Sequence, residues 1–424
     1  VAGCTLGIWS TTVMAGNGLN DIGFGAQSSG MAGADLGVAR DTAALNINPS
    51  GLSQISGSAI DAYLEPFYEF SARHLDSLGN DQSIHDPWGA SVGGGYARRL
   101  PNYGVVLGVG LFGQGGSGFQ YQNLITPFGP HRDEVGANFA TVKLEPGLAW
   151  QATDTLSVGA ALGINYSQAR EKFLPTTSFV DPSGKAPSFF GFRVDGLGGW
   201  SVNEKLGFQY RPDKRWVVGG EYTGKTQVKL DGGTATFDYS AAQLGFVTYN
   251  NVSLKGFAIA QQAGIGASFQ PVEAWLIDAQ LTWVDWSGAM KSSTLIASNP
   301  NNQLLPQNLQ NLSLTSPLDW RDQYVVAVGT EYRYNELTAL RCGINYGRNP
   351  VPGTTLSPTL PLILDRAVAV GFSRHLSGGW EFSGSSWYGL RNKVHYSNPD
   401  SPFGPTASES IDVLVLNFMI SRRW

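Results

Sequence analysis

Residues 16–57 read GNGLNDIGFGAQSSGMAGADLGVARDTAALNINPSGLSQISG. The stretch is rich in Gly, Ala, Ser and Asn and carries almost no alternation of apolar and polar residues. From Ser58 onward the chain becomes a long series of alternating segments that runs to Trp424. A small-residue piece ahead of a chain of strands predicts a plug seated inside a closed barrel. The division expected is a leader remnant at 1–15, a plug (hatch) at 16–57 and a barrel at 58–424.

The alternation is regular enough to assign faces, because successive side chains in a strand point to opposite sides. In 156–166, Leu156, Val158, Ala160, Leu162, Ile164 and Tyr166 share one face, and Ser157, Gly159, Ala161, Gly163 and Asn165 the other. In 275–283, Trp275, Ile277, Ala279, Leu281 and Trp283 oppose Asp278, Gln280 and Thr282. A soluble sandwich alternates too. Here aromatics close the apolar faces, where the interfacial girdles of a membrane barrel belong, and many segments reach the length that crosses a tilted bilayer. Fourteen antiparallel transmembrane strands are predicted, at 58–71, 89–100, 103–121, 139–152, 156–173, 196–211, 216–233, 257–270, 275–292, 320–334, 337–348, 365–376, 380–396 and 409–424. Short turns alternate with long connections at 72–88, 122–138, 174–195, 234–256, 293–319, 349–364 and 397–408, the pattern of periplasmic turns and outer loops. The even count leaves both ends in the periplasm. Leu414, Leu416, Phe418 and Ile420 share the parity of the terminal Trp424, as a closing strand should, although Arg422 interrupts it.

Composition agrees. The 424 residues are only 14% charged, 12% aromatic, and include 54 glycines. Mean hydropathy is −0.11, and no run of about 18 apolar residues exists for a helical span. A net charge of −5 gives no footprint for nucleic acid. Two cysteines, Cys4 and Cys342, make neither a disulfide framework nor a zinc site. Residues 1–15 end in Val13-Met14-Ala15, a small-residue cleavage pattern. The alternatives there are a lipid anchor at Cys4 and an ordered extension. Five scattered histidines lack metal-ligand spacing. The Gly89-x-Ser91-x-Gly93 pattern lies in a strand with no following helix, so the context for a nucleophile elbow fails. No enzyme activity, metal or cofactor is expected.

Several segments, in order, carry a resemblance. They are 23–37 (GFGAQSSGMAGADLG), Asn48-Pro49-Ser50-Gly51-Leu52, Tyr63-Leu64-Glu65-Pro66, Thr282 to Ser287 (TWVDWS), Trp320-Arg321-Asp322, Arg341-Cys342-Gly343-Ile344, Asn349-Pro350-Val351-Pro352 and Asp365-Arg366. Together they resemble the FadL family of outer-membrane transporters for long-chain fatty acids and aromatic hydrocarbons. The resemblance implies passive transport: capture by outer loops, passage gated by the plug, and sideways exit through a kink in the third strand. It implies a Gram-negative outer membrane, contact with lipid and lipopolysaccharide, delivery by the barrel-insertion machinery, and a monomer.

Site roles follow from the same resemblance. Asn48, Pro49 and Ser50 would form the hatch gate, or simply a structural turn. Gly113, Gly115 and Gly116, within GQGGSG at 113–118, would form the lateral opening. Glycine inside a strand also marks a bulge on physical grounds, or the strand's outer end entering a loop. Phe173, Phe179, Phe189, Phe190 and Phe192, with Leu244, Phe246 and Val247, would capture substrate, or pack the loops on one another. Lys172 and Arg321 are the cations placed to meet a carboxylate head group, or lumen charges paired with neighbours. A non-selective porin is the alternative function, and an outer-membrane hydrolase a weaker one.

Overall fold

The computed structural model describes residues 16–184, 187–302 and 304–424. The leader reading of 1–15 and the Cys4 alternative lie outside the described residues.

Fourteen strands form one closed antiparallel barrel. They are β1 Ser58–Glu69, β2 Trp88–Arg99, β3 Val105–Ile125, β4 Arg132–Gln151, β5 Leu156–Phe179, β6 Phe189–Tyr210, β7 Trp216–Thr223, β8 Gln262–Val272, β9 Trp275–Val284, β10 Gln323–Asn335, β11 Thr338–Gly347, β12 Arg366–His375, β13 Trp380–Tyr396 and β14 Ala407–Arg423. Each pairs with its neighbour, and β14 returns to β1 in register from Ala59↔Arg423 to Glu69↔Val413. Closure leaves no free edge for lipid to meet, the condition under which strands can cross a membrane.

The side-chain distribution is the reverse of a soluble protein's. Leu64, Leu107, Leu162, Val202, Ile265, Val326, Ile344, Val370 and Phe418 are exposed on the outer surface. Asp61, Lys143, Asn165, Lys205, Glu331, Arg341 and Asn417 are buried within. So large an exposed apolar surface is stable only against another apolar phase. Aromatics mark its limits: Tyr166 packs on Trp200 at 4.9 Å between ring centres. Arg422 lies over Trp380 and Trp424 at 5.3 and 5.4 Å at the opposite end.

The outer connections are more ordered than expected. Residues 174–195 are not a loop: β5 runs to Phe179 and β6 starts at Phe189, because the alternation around Phe173 and Phe192 continues past the girdle. Residues 234–256 form a hairpin, Leu230–Tyr239 with Gly245–Lys255. Ser292–Pro300 and Leu312–Pro317 form a second one. The first hairpin pairs with β6 and the second pairs with the first, so a β-ribbon wall stands above the barrel. Conversely, β7 stops at Thr223 and β9 at Val284, earlier than the periodicity suggests.

Residues 16–57 lie within the bore. They contain two short helices, Gly25–Gly30 and Ala44–Ile47, and a 3-10 turn, Pro49–Gln54. Small residues let the backbone approach the wall. A Cβ on Gly343 would sit 2.4 Å from Met31 and one on Gly219 2.0 Å from the Leu36 carbonyl. Polar bonds complete the seat. Gln280 accepts from the Asp35 and Leu36 amides at 2.9 and 3.1 Å. Lys143 and Lys205 donate to Asn46 at 2.8 and 2.7 Å. Glu331 holds Arg40 of the plug and Arg341 of β11 together.

Candidate functional site

Three features meet above and beside the plug: a cavity, the plug's N-terminal tip, and an interruption in the wall.

The cavity, of about 480 Å³, lies in the outer half of the bore. Phe139, Phe173, Phe192, Leu197, Phe257 and Trp320 supply much of its wall. Leu230, Leu254, Leu295 and Leu314 complete it from the two ribbon hairpins. Phe139 packs on Phe257 at 4.7 Å, and Phe173 on Phe192 at 6.1 Å. Such a surface binds by apolar burial, worth about 25 cal/mol per Å² removed from water.

The plug's tip sits next to this cavity. A Cβ on Gly18 would lie 2.7 Å from the Trp286 ring, so only glycine fits there. Trp286 is fully buried and packs on Trp320, a cavity residue, at 5.2 Å. One residue on, the Leu19 carbonyl faces Gly115 of β3, where a Cβ would come within 2.3 Å.

Gly115 marks a break in the barrel. Strands β2 and β3 pair from Arg99↔Val106 to Gly93↔Phe112 and then part. Residues 88–92 of β2 keep only β1 as partner. Residues 113–125 of β3 pair with β4 alone, through a bulge between Gly113 and Gly116. Gly115 has φ +100°, a value side-chain-bearing residues rarely adopt, and it turns β3 inward onto the tip. Contact resumes higher up, where the His85 amide donates to the Gln120 carbonyl at 2.8 Å. The result is a window in the wall, bounded by the Gly93–Phe112 pair and the His85–Gln120 bond. Its far side is the tip.

The Asn48-Pro49-Ser50 turn lies elsewhere, against β5 and β6. Asn48 Nδ2 donates to the carbonyls of Leu36 and Phe208 at 2.9 and 3.0 Å, and its Oδ1 accepts from Ser50 Oγ at 2.7 Å. The turn fits because Gly159 and Gly207 are cross-strand partners. A Cβ on either would come within 2.3 or 2.1 Å of Ser50 N and Asn48 Oδ1 respectively.

The predicted aromatics separate into groups. Phe173 and Phe192 line the cavity. Phe179 and Phe189 stack on Phe128 at 5.6 and 4.5 Å, and Phe190 packs on Tyr239 at 4.7 Å. Val247 is buried in the ribbon, Leu244 packs against its core, and Phe246 is 56% exposed. Neither predicted cation reaches the cavity. Lys172 pairs in register with Arg193 on the face of β5 opposite Phe173, and its ammonium lies 2.8 Å from Glu134. Strand parity, one residue away from the inward Phe173, is the reason. Arg321 is exposed just beyond Trp320. The charged residues of this stretch that do line the cavity are Arg170 and Glu171, neither of them among the predicted site residues.

A closed 14-stranded barrel with an apolar outer cavity, residues 16–57 in its bore and an interruption in the pairing of its wall is the architecture of an outer-membrane transport protein. The chain belongs to the family of outer-membrane transport proteins OMPP1/FadL/TodX, whose family model matches residues 8–376. Its members are channels, not enzymes. Solved structures share the fold. The toluene transporter TodX of P. putida is 19% identical with TM-score 0.76, over 95% of this chain and 99% of that one. The toluene transporter TbuX of Ralstonia pickettii is 20% identical with TM-score 0.72, over the same shares. A Pseudomonas aeruginosa FadL homologue is 14% identical with TM-score 0.73, over 97% and 99%. No curated protein matches the chain in sequence.

Proposed function

We propose that the protein carries apolar small molecules across the outer leaflet, from the cavity to the bilayer, through the window beside β3. Cargo enters between the ribbon hairpins, whose aromatics Phe179, Phe189, Phe190, Leu244 and Phe246 form the capture surface. It then fills the cavity against Phe139, Phe173, Phe192, Val247's ribbon and Trp320. Cargo pressing on Trp320 and Trp286 shifts residues 16–20, and withdrawal of Leu19 from Gly115 opens the window. Gly113, Gly115 and Gly116 are the opening. Asn48, Pro49 and Ser50 hold the rest of the plug, so that only the tip moves. The plug, 16–57, stays in the barrel, 58–424, throughout, and the mature chain works as a monomer among outer-membrane lipid and lipopolysaccharide after removal of its leader.

The observation that carries this reading is the Leu19–Gly115 contact inside the interrupted ladder, one residue from the tryptophan pair that walls the cavity. Toluene is carried by the TodX and TbuX relatives, and the aromatic and leucine side chains of the cavity wall support a similar cargo here. The test is uptake of radiolabelled toluene into outer-membrane vesicles, run beside ion conductance in planar bilayers. Uptake with negligible conductance is expected. Large steady conductance with no preference for toluene over a sugar would favour the porin reading.

A further inference from the structure

Glu171 stands in β5 between Ala169 and Phe173, on the inward parity of both. Its cross-strand partners are Ala137 on β4 and Val194 on β6. Ala137, Val194 and Glu171 all line the cavity. Among the described residues, its carboxyl makes no hydrogen bond and no ion pair. Arg170, next in the strand, is exposed and also lines the cavity, with no bond to Glu171 among the described residues. Lys172, on the other side, is committed to Glu134. An acceptor-only group in an apolar wall is costly to leave without a donor.

We propose that Glu171 is a specificity residue: it selects apolar molecules that carry a hydrogen-bond donor, an amine or a hydroxyl. The inference rests on the cavity being the cargo site proposed above. A donor group brought in on an apolar ring would meet the carboxyl oxygens and recover the lost hydrogen bond, while the ring fills the space between Phe139, Phe173 and Phe257. A carboxylate brings no donor for Glu171 and faces Arg170 on the same wall instead. A plain hydrocarbon gains only the apolar contact.

Three probes of one skeleton separate these cases: toluene, 4-methylbenzylamine and 4-methylbenzoate. Binding is measured by calorimetry on the full chain in lipid nanodiscs, which avoids detergent competing for the cavity. Glu171→Leu is expected to weaken the amine by about tenfold or more, the scale of a hydrogen bond to a charged group. It should leave both toluene and the benzoate within about twofold. Glu171→Gln, nearly identical in shape, keeps an acceptor but not the charge; it is expected to reduce the amine's advantage partly and serves if the leucine variant folds poorly. Equal shifts for all three probes, or none, would overturn the inference while toluene binding leaves the transport reading standing. Failure of the wild-type protein to bind any of the three would overturn both.

Discussion

The plug is held at two ends by different physics. At Asn48-Pro49-Ser50 it is bonded to the wall through the Phe208 carbonyl and to itself through that of Leu36, buried and out of reach of water. At its tip, residues 16–20, one side-chain bond reaches the barrel among the described residues, Asn20 to Gln262 at 3.0 Å; the rest is packing of Gly18 on Trp286 and Leu19 on Gly115. Directional bonds break all at once, whereas packing yields to a competitor of suitable shape. The proposed release of the tip alone, with the rest of the stopper held, calls for both kinds of contact.

The comparison can be broken first at the tip. Gly115→Val cannot hold φ +100° and has no room beside the Leu19 carbonyl, so β3 is expected to straighten toward β2 and close the window. Toluene uptake should fall by about tenfold or more, given left-handed strain of roughly 1–2 kcal/mol or above for a branched residue. Heat-modifiable mobility on gels should stay that of a folded barrel. Unchanged uptake would remove the window from the path.

At the other end, Asn48→Ala removes the side-chain donor to the Phe208 carbonyl and leaves the Leu36 carbonyl with the long bond from Gln209 at 3.4 Å, and should loosen the plug by about 1–3 kcal/mol. The readout is conductance, which should rise in bursts as the plug lets ions through, with the barrel itself intact. A silent channel would mean that the tip, not the turn, carries the plug's hold.

A third test lies above both ends, in the outer connection 72–88. His74 is buried between Asp76 and Glu409, at 3.1 and 2.5 Å. Burial pushes its imidazolium toward neutrality, but hydrogen bonds to Asp76 and Glu409 outweigh this and raise its pKa to about 9. A raised folded-state value means that the stabilisation is full below the ordinary histidine range and is lost as pH rises through about 9. Phe403, which packs on both His74 and Phe173, should then gain mobility. Hydrogen exchange in 72–84 should accelerate above pH 9 in the wild type and already at neutral pH in His74→Gln. The smallest effect is expected from Lys172→Ala: its partly exposed pair with Glu134 is worth below about 1 kcal/mol, and both toluene and a fatty acid should bind as before. A selective loss of the fatty acid would restore Lys172 as a head-group residue.

The barrel was legible because its rule is local. Period-two alternation from 156 to 166 or 275 to 283 fixes faces without knowledge of partners, and Trp275 or Trp283 fixes where the faces end. GQGGSG inside the third strand likewise announced its bend. The cavity was not legible, because its walls come from distant pieces. Leu230, Leu254, Leu295 and Leu314 lie in connections whose ribbon pairing depends on β6 as a template, and no local pattern gives that. Glu171 was missed by one residue: counting parity from Phe173 would have turned Lys172 outward and Glu171 inward.

The seam has a bearing on biogenesis. Ser58 and Trp424 exchange backbone bonds at 2.7 and 3.0 Å, and Gly57 lies so near the Trp424 carbonyl that a Cβ would stand 2.3 Å away. The first strand therefore waits for the fourteenth before the cylinder shuts. Residues 16–57 hang from that same first strand, so they must already be tucked within the open sheet when the two margins meet. A stopper threaded afterwards would have to pass the finished rim; here the vessel is rolled around its own cork.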